Sequence, residues 1–141
     1  MSDKLVIGIA DMKMAKGEGM LVTYALGSCI GICLHDPALK LGALVHIMLP
    51  LNMETGRKNP MKYADTGIRE TLKQMEAKGA SRARITAKIA GGAMMLKLNL
   101  KKEGIRLLAE DVGGSVARTL LFDVNSGLGC VRCYGRKELI I

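Results

Sequence analysis

The segment LGSCIGICLHD, Leu26 to Asp36, places Cys29 behind a Gly-Ser pair and ahead of a run of small and β-branched residues. It raises three chemistries for one thiol: core filler, metal ligand or nucleophile. The chain carries four cysteines (Cys29, Cys33, Cys130, Cys133) and two histidines (His35, His46). Four thiols are the right number for a tetrahedral zinc site. Strand geometry argues against that use, because Cys29 and Cys33 would share a face yet lie roughly 13 Å apart at about 3.3 Å per residue. Cys130 and Cys133, three apart on a strand, would point to opposite faces. Cys33, Cys130 and Cys133 are therefore read as small core or surface residues, and no metal is expected.

Cys29 differs because of the two runs next to it in the chain. IGICLH and GALVHIML are β-rich and separated by DPALK, whose Asp-Pro start signals a turn, so the pair reads as a hairpin. Odd residues of the first strand then oppose even residues of the second. Cys29, Gly31 and Cys33 share a face with Leu44, His46 and Met48. Directly opposed Cβ atoms lie about 5 Å apart and diagonal ones about 7–8 Å, both within reach of an imidazole. Gly31 leaves no side chain between the two. A thiol beside an imidazole has the parts of an activated nucleophile. The same spacing also describes an inert thiol beside a satisfied core histidine, and spacing leaves both readings open. His35, next to Asp36, is read as a solvated turn residue. Thr23, six residues before Cys29, offers a hydroxyl and a carbonyl that could orient the ring of His46.

The elements that must position these groups are mostly strands. KLVIGIADM and GMLVTYAL read as two strands with AKGEG as the turn between them. NPMKYADTGIRETLKQMEAKG reads as a helix, with Asn59 as N-cap, Pro60 at the first helical position and Gly79 as C-cap. Met61, Ala64, Ile68, Leu72 and Met75 give it one apolar stripe. RARITAKIA alternates, with Ala83, Ile85, Ala87 and Ile89 on one side, and ends in a Gly pair. AMMLKLNLKKEG is a second helix closed by Gly104, and IRLLAED, VARTLLFDV and LGCVRCYG are further strands, the last two joined by NSG. The Gly-rich pieces GGA and EDVGG (Glu110 to Gly114) could bring backbone close to a substrate or supply an oxyanion donor, and tight turns explain them as readily. Neither has the lysine and hydroxyl of a phosphate loop. The pattern is an α+β domain, mostly antiparallel strands with one or two covering helices.

Composition bounds the function. At 141 residues the chain reads as a single domain, 1–141, able to bury its own core. With a single Phe and no Trp that core must be aliphatic, with ten Met as adaptable filler. The net charge of +8 is spread along the chain without a dense basic run and with few aromatic residues, so nucleic-acid binding is not expected. The first apolar run is too short for a signal peptide or membrane span, which predicts a cytoplasmic protein with reduced thiols and no membrane insertion.

TYALGSCIGICLHDP, GALVHIMLP, KYADTGI, AKIAGGAMM and EGIRLLAEDVGGSVAR together resemble the CheD family of chemoreceptor glutamine deamidases, in that family's order and over most of the chain. The resemblance implies a layered α/β/β sandwich and a Cys-His-Thr triad: Cys29 as nucleophile, His46 as general acid/base and Thr23 as third member. It implies hydrolysis of receptor glutamine side chains to glutamate through a cysteine thioester, without a cofactor. Some members also hydrolyse receptor glutamyl methyl esters, and some bind CheC, a chemotaxis phosphatase. Backbone N–H groups of the Gly27-Ser28-Cys29 turn are the oxyanion donors that such chemistry calls for. The competing reading is a regulatory binding module for CheC with little catalysis, and a zinc-binding structural protein comes third. The chain departs from the family pattern in two places: Lys97 to Leu100 replaces a longer insert with a further helix, and Leu96 stands where an aromatic residue is common.

Overall fold

The computed structural model describes residues 4–48, 59–92, 96–114 and 116–141. In chain order its elements are β1 (Lys4–Val6), β2 (Met12–Lys16), β3 (Met20–Thr23), β4 (Ile30–Asp36), β5 (Leu41–Ile47), α1 (Ala64–Ala77), β6 (Thr86–Gly91), α2 (Leu96–Lys102), β7 (Arg106–Val112), β8 (Arg118–Asp123), β9 (Gly129–Cys133) and β10 (Leu139–Ile140). The strands form two five-stranded sheets. The outer sheet runs β1-β3-β8-β9-β10 and the inner sheet β2-β5-β4-β6-β7. Among the described residues six of the eight strand pairings are antiparallel; β1–β3 and β6–β7 are parallel.

The inner sheet is covered on both faces. On one side Ile30, Ile32, Leu34, Ala43, Val45 and Ile47 meet Ile68, Leu72 and Met75 of α1. On the other side Cys33 and Leu44 meet Leu21, Leu120, Phe122 and Val124 of the outer sheet. The order helix, sheet, sheet is the expected α/β/β layering, and it explains why every residue of β4 and β5 is buried. The predicted apolar stripe faces the core throughout, from Ala64 to Met75 of α1 and with Met61 just before the helix. Among the described residues no helix is long and apolar enough to cross a membrane.

Several boundaries differ from the sequence expectation. KLVIGIADM is not one strand. The chain turns at Ile9 and Ala10, where Ala10 takes a φ of 57°, and passes from the outer sheet to the inner one. It continues there as β2, whose sequence MKMAK has no clean alternation to announce it. Asn59 does cap, its side chain accepting from the Met61 N–H at 3.0 Å, but what it caps is a 3-10 turn, Pro60–Lys62. Tyr63, fully buried and extended, separates this turn from α1. The helix closes at Lys78 and Gly79, the latter at a φ of 99°. Ala83 is exposed in a turn rather than on the buried face, and β6 starts only at Thr86. Of the second helix, residues 93–95 lie outside the described ones, and Ile105 and Leu100 seal its end against α1 and the inner sheet. β10 has no sequence signal strong enough to read.

Candidate active site

The hairpin forms in the predicted register, with Gly31 opposite His46 and Cys33 opposite Leu44. β4 begins at Ile30, so Cys29 is the last residue of the loop that enters it. One diagonal step then separates Cys29 from His46, on the side facing the outer sheet, where Cys29 packs half-buried against the inter-sheet core. Gly31 is needed at the crossing. A Cβ there would lie 3.0 Å from Leu120, 3.1 Å from Leu26 and 3.4 Å from Thr23.

Thr23 ends β3 in the outer sheet, and its Oγ1 lies 2.8 Å from His46 Nδ1. The hydroxyl has one proton, which it donates to the Ile7 carbonyl at 2.9 Å. Oγ1 must therefore accept from the ring, and the proton of neutral His46 sits on Nδ1. Nε2 is left with a free lone pair. It is buried and has no hydrogen-bond partner among the described residues. Burial holds the imidazole below its ordinary 6.5, so the ring is neutral at physiological pH. The arrangement can take a proton at one defined atom.

The loop before β4 is tightly held. Ala25 adopts a φ of 58°, and the Gly27 N–H closes back on the Ala25 carbonyl at 2.9 Å. Leu26 is fully buried and exchanges two backbone bonds with Arg118 on β8, 3.0 and 3.3 Å. From the other side, Gly92 donates its N–H to the Cys29 carbonyl at 3.2 Å. Gly91 and Gly92 press their backbone on the loop. A side chain on either would collide with the carbonyl oxygen of Cys29 or of Gly27.

The chain matches the family model described as CheD chemotactic sensory transduction over residues 48–99. It is 42% identical to the "Probable chemoreceptor glutamine deamidase CheD" of Syntrophomonas wolfei, an alignment of 161 residues covering all of both chains. It is 40% identical to the "Chemoreceptor glutamine deamidase CheD" of Thermotoga maritima over 96% of this chain and 95% of that one. The Pyrococcus abyssi relative, again named as a probable chemoreceptor glutamine deamidase, is 42% identical over 90% of each.

The chain belongs to the CheD family. The part matched by the CheD family model spans α1 and β6, whereas Thr23, Cys29 and His46 lie before it, in a part of the chain that only the full-length relatives cover. The alignment to the Syntrophomonas CheD is longer than the 141 residues of this chain, so that relative carries residues with no counterpart here.

The other thiols of this CheD chain sit in different surroundings. Cys33 is fully buried, and burial pushes its thiol far up, only partly opposed by Lys88. Cys130 is raised by burial and by its contact with Glu138. Among the described residues no group of three His, Cys, Asp or Glu side chains could hold a metal ion. His35 is a correction to the sequence reading. It is not solvated but buried at the turn end of β4, its Nε2 2.7 Å from the Val124 carbonyl and its ring edge-on to Phe122. The bond spans 89 residues of sequence, and no local pattern announces it. Arg118, Gly91 and Gly92 contact the loop that carries Cys29, which the sequence alone does not show. The Gly pair is visible there as a place of close backbone approach, though not what approaches it, and Arg118 stands out only as a charge in the otherwise apolar run VARTLLF.

Proposed function

We propose that this chain is a protein-glutamine deamidase of chemotaxis receptors, a single catalytic domain over residues 1–141 in which Cys29, His46 and Thr23 act as a triad. The observation that carries the reading is the free Nε2 of a buried neutral His46, its tautomer fixed by Thr23, one diagonal step from a half-exposed thiol. The names of the full-length relatives supply the substrate class.

The parts give a complete cycle. His46 Nε2 takes the Cys29 proton, and the sulfur attacks the side-chain amide carbon of a receptor glutamine. Nε2 returns the proton to the amide nitrogen, the C–N bond breaks, and ammonia leaves a thioester. Water, deprotonated by the same nitrogen, attacks the thioester carbon. The C–S bond breaks to give glutamate, and the proton goes back to sulfur. A glutamyl methyl ester would form the same thioester with methanol leaving, so receptor esterase activity falls within the reach of the site. No step requires a cofactor.

The oxyanion that forms at each attack needs donors. The Gly27 N–H is already spent on Ala25, while the amides of Ser28 and Cys29 have no backbone acceptor among the described residues. The Gly27 carbonyl faces Gly92. Because a trans peptide sets C=O and N–H on opposite sides, the Ser28 N–H points away from the Gly pair. Ser28 and Cys29 are therefore the assigned donors. A working thiol fits the reducing cytoplasm, where the signalling ends of such receptors would be met.

The test is mass spectrometry of a receptor cytoplasmic fragment after incubation with the protein, reading amide-to-acid conversion at individual glutamines. Wild-type protein converts them and Cys29→Ala does not. Equal conversion by the two would remove Cys29 as nucleophile, and no conversion by either, with CheC binding intact, would favour the regulatory module.

A further inference from the structure

We infer that Arg118, on a strand of the opposite sheet, is a positioning residue for the nucleophile loop, acting with Gly91 and Gly92 as a clamp around Ala25 to Cys29. The inference rests on the catalytic reading of Cys29 and adds to it a residue that contacts neither substrate nor the reacting atoms.

Arg118 holds the loop with its backbone and braces it with its side chain. Its N–H and C=O both bond to Leu26. The guanidinium then crosses to the inner sheet, where Nε donates to Asp111 Oδ2 at 3.1 Å and Nη2 to the Gly113 carbonyl at 2.8 Å. The Gly113 N–H in turn bonds the Gly91 carbonyl at 2.9 Å, and the Gly92 N–H bonds the Cys29 carbonyl. A ring of contacts is thus closed: Leu26, Arg118, Gly113, Gly91, Gly92, Cys29. The nucleophile loop is the only part of this ring that bears the thiol, and every other member fixes its position. Asp111 is anchored from outside by Arg136, 2.5 Å away.

Stability alone does not account for this use of a cation. Arg118 is 4% exposed, and its Nη1 is buried without a partner among the described residues. Buried ion pairs with an unspent donor are poor stabilisers compared with apolar packing. What the guanidinium supplies, and an apolar side chain would not, is two directed bonds from one sheet to the other beside Cys29. A small misplacement of a nucleophile is costly, about 100-fold in rate for roughly 1 Å.

The pair Asp36 and Arg84 provides the control. Arg84 likewise makes two bonds with its fork, 2.9 and 2.8 Å, both to one carboxylate, but the pair lies at the far end of β4. Arg118→Gln, Arg118→Lys and Arg84→Gln are compared with wild type by thermal unfolding, by kcat and KM for ammonia release from a receptor fragment, and by the rate of Cys29 alkylation with iodoacetamide, read by peptide mass spectrometry. Arg118→Gln is expected to lower kcat about 100-fold with KM within about twofold, and to slow Cys29 alkylation about tenfold. Arg118→Lys, which keeps the charge but not the fork, is expected to remain impaired in both. Arg84→Gln should lose thermal stability and keep both rates within about twofold. The inference is overturned if the Arg118 variants, where folded, keep wild-type kcat and alkylation. It is equally overturned if Arg84→Gln matches their losses, or if both Arg118 variants fail to fold while Arg84→Gln folds. Should the wild type release no ammonia, the catalytic reading fails by itself, and the alkylation rates alone decide on the clamp.

Discussion

The two faces of the β4–β5 hairpin are made by the same fourteen residues and do different work. Toward α1 the side chains are Ile, Leu, Val and Ala, with one polar group only at the turn end, where Asp36 accepts from Arg84 and the Ser81 N–H. Toward the outer sheet they are Gly31, Cys33 and His35 on one strand and Gly42, Leu44 and His46 on the other, with Thr23 reaching in from β3. The first face is a surface on which a helix packs; the second is a polar seam between two sheets brought close by glycines. Along that seam the two histidines also differ. His35 has its Nε2 tied to a backbone carbonyl at one end, and His46 has its Nε2 untied at the other. A buried polar atom left unpartnered costs about 1–3 kcal/mol. The fold accepts that cost at His46 and not at His35, and the proposed triad puts the chemistry at the end where the cost is accepted.

The largest break in this contrast is at the seam's open end. Cys29→Ala should abolish detectable deamidation while changing stability by no more than about 1 kcal/mol, since the thiol is half-exposed. His46→Gln should lower kcat by about 10² to 10⁴, the range for loss of a positioned general base, whereas His35→Gln should leave kcat nearly unchanged and lower the melting temperature. Equal kinetic loss in the two histidine variants would erase the distinction between the ends. Thr23→Val, which keeps shape but removes the acceptor that fixes the ring, should cost about 10- to 100-fold, and Thr23→Ser should restore most of it.

The opposite face is tested by Leu72→Ala, which removes a fully buried side chain from α1. It should destabilise by about 2–5 kcal/mol in urea titration. At a temperature where the variant is folded, kcat should stay near wild type. A proportionate fall in kcat would mean that the helix face and the seam are coupled more tightly than two separately packed clusters imply.

This asymmetry also explains what can be read from the sequence. The hairpin register, which sets His46 opposite Gly31, and the apolar stripe of α1 rest on local signals: alternation, a 3.6-residue period and an Asp-Pro turn. Nothing more than neighbouring segments is needed to place them. His35 and Arg118 owe their positions to contacts between sheets and Gly91 to neighbouring strands of the inner sheet, all with partners far along the chain, and a pattern read over ten residues contains no trace of such partners. β2 escapes a sequence reading for a related reason. It is an edge strand whose residues are only half-buried, so selection for alternation on it is weak. Thr23 lies between these cases: its place before the hairpin is visible, but only the sheet-to-sheet approach puts its hydroxyl on the ring.

The smallest expected effect concerns pH and belongs to the seam alone. Burial holds His46 below 6.5 in the folded chain, while in the unfolded chain the ring titrates near that ordinary value. Above pH 6.5 both states are neutral there and stability does not depend on this group. As pH falls below 6.5 the unfolded chain binds the proton first, so stability declines until the folded ring also protonates. The carboxyls respond in a lower range. Burial pushes Asp36 and Asp111 up, but their arginines and, for Asp36, two backbone amides outweigh it and hold both below the ordinary carboxylate value. Urea midpoints measured from neutral pH down to about 5 should therefore fall in the wild type and fall less steeply in His46→Gln. The acid limb of kcat/KM should lie below pH 6.5 for the same reason, because the free Nε2 that lowers stability in acid is the atom proposed to take the thiol proton. Parallel slopes in wild type and variant would assign the acid sensitivity to another group and separate the buried ring from the reaction.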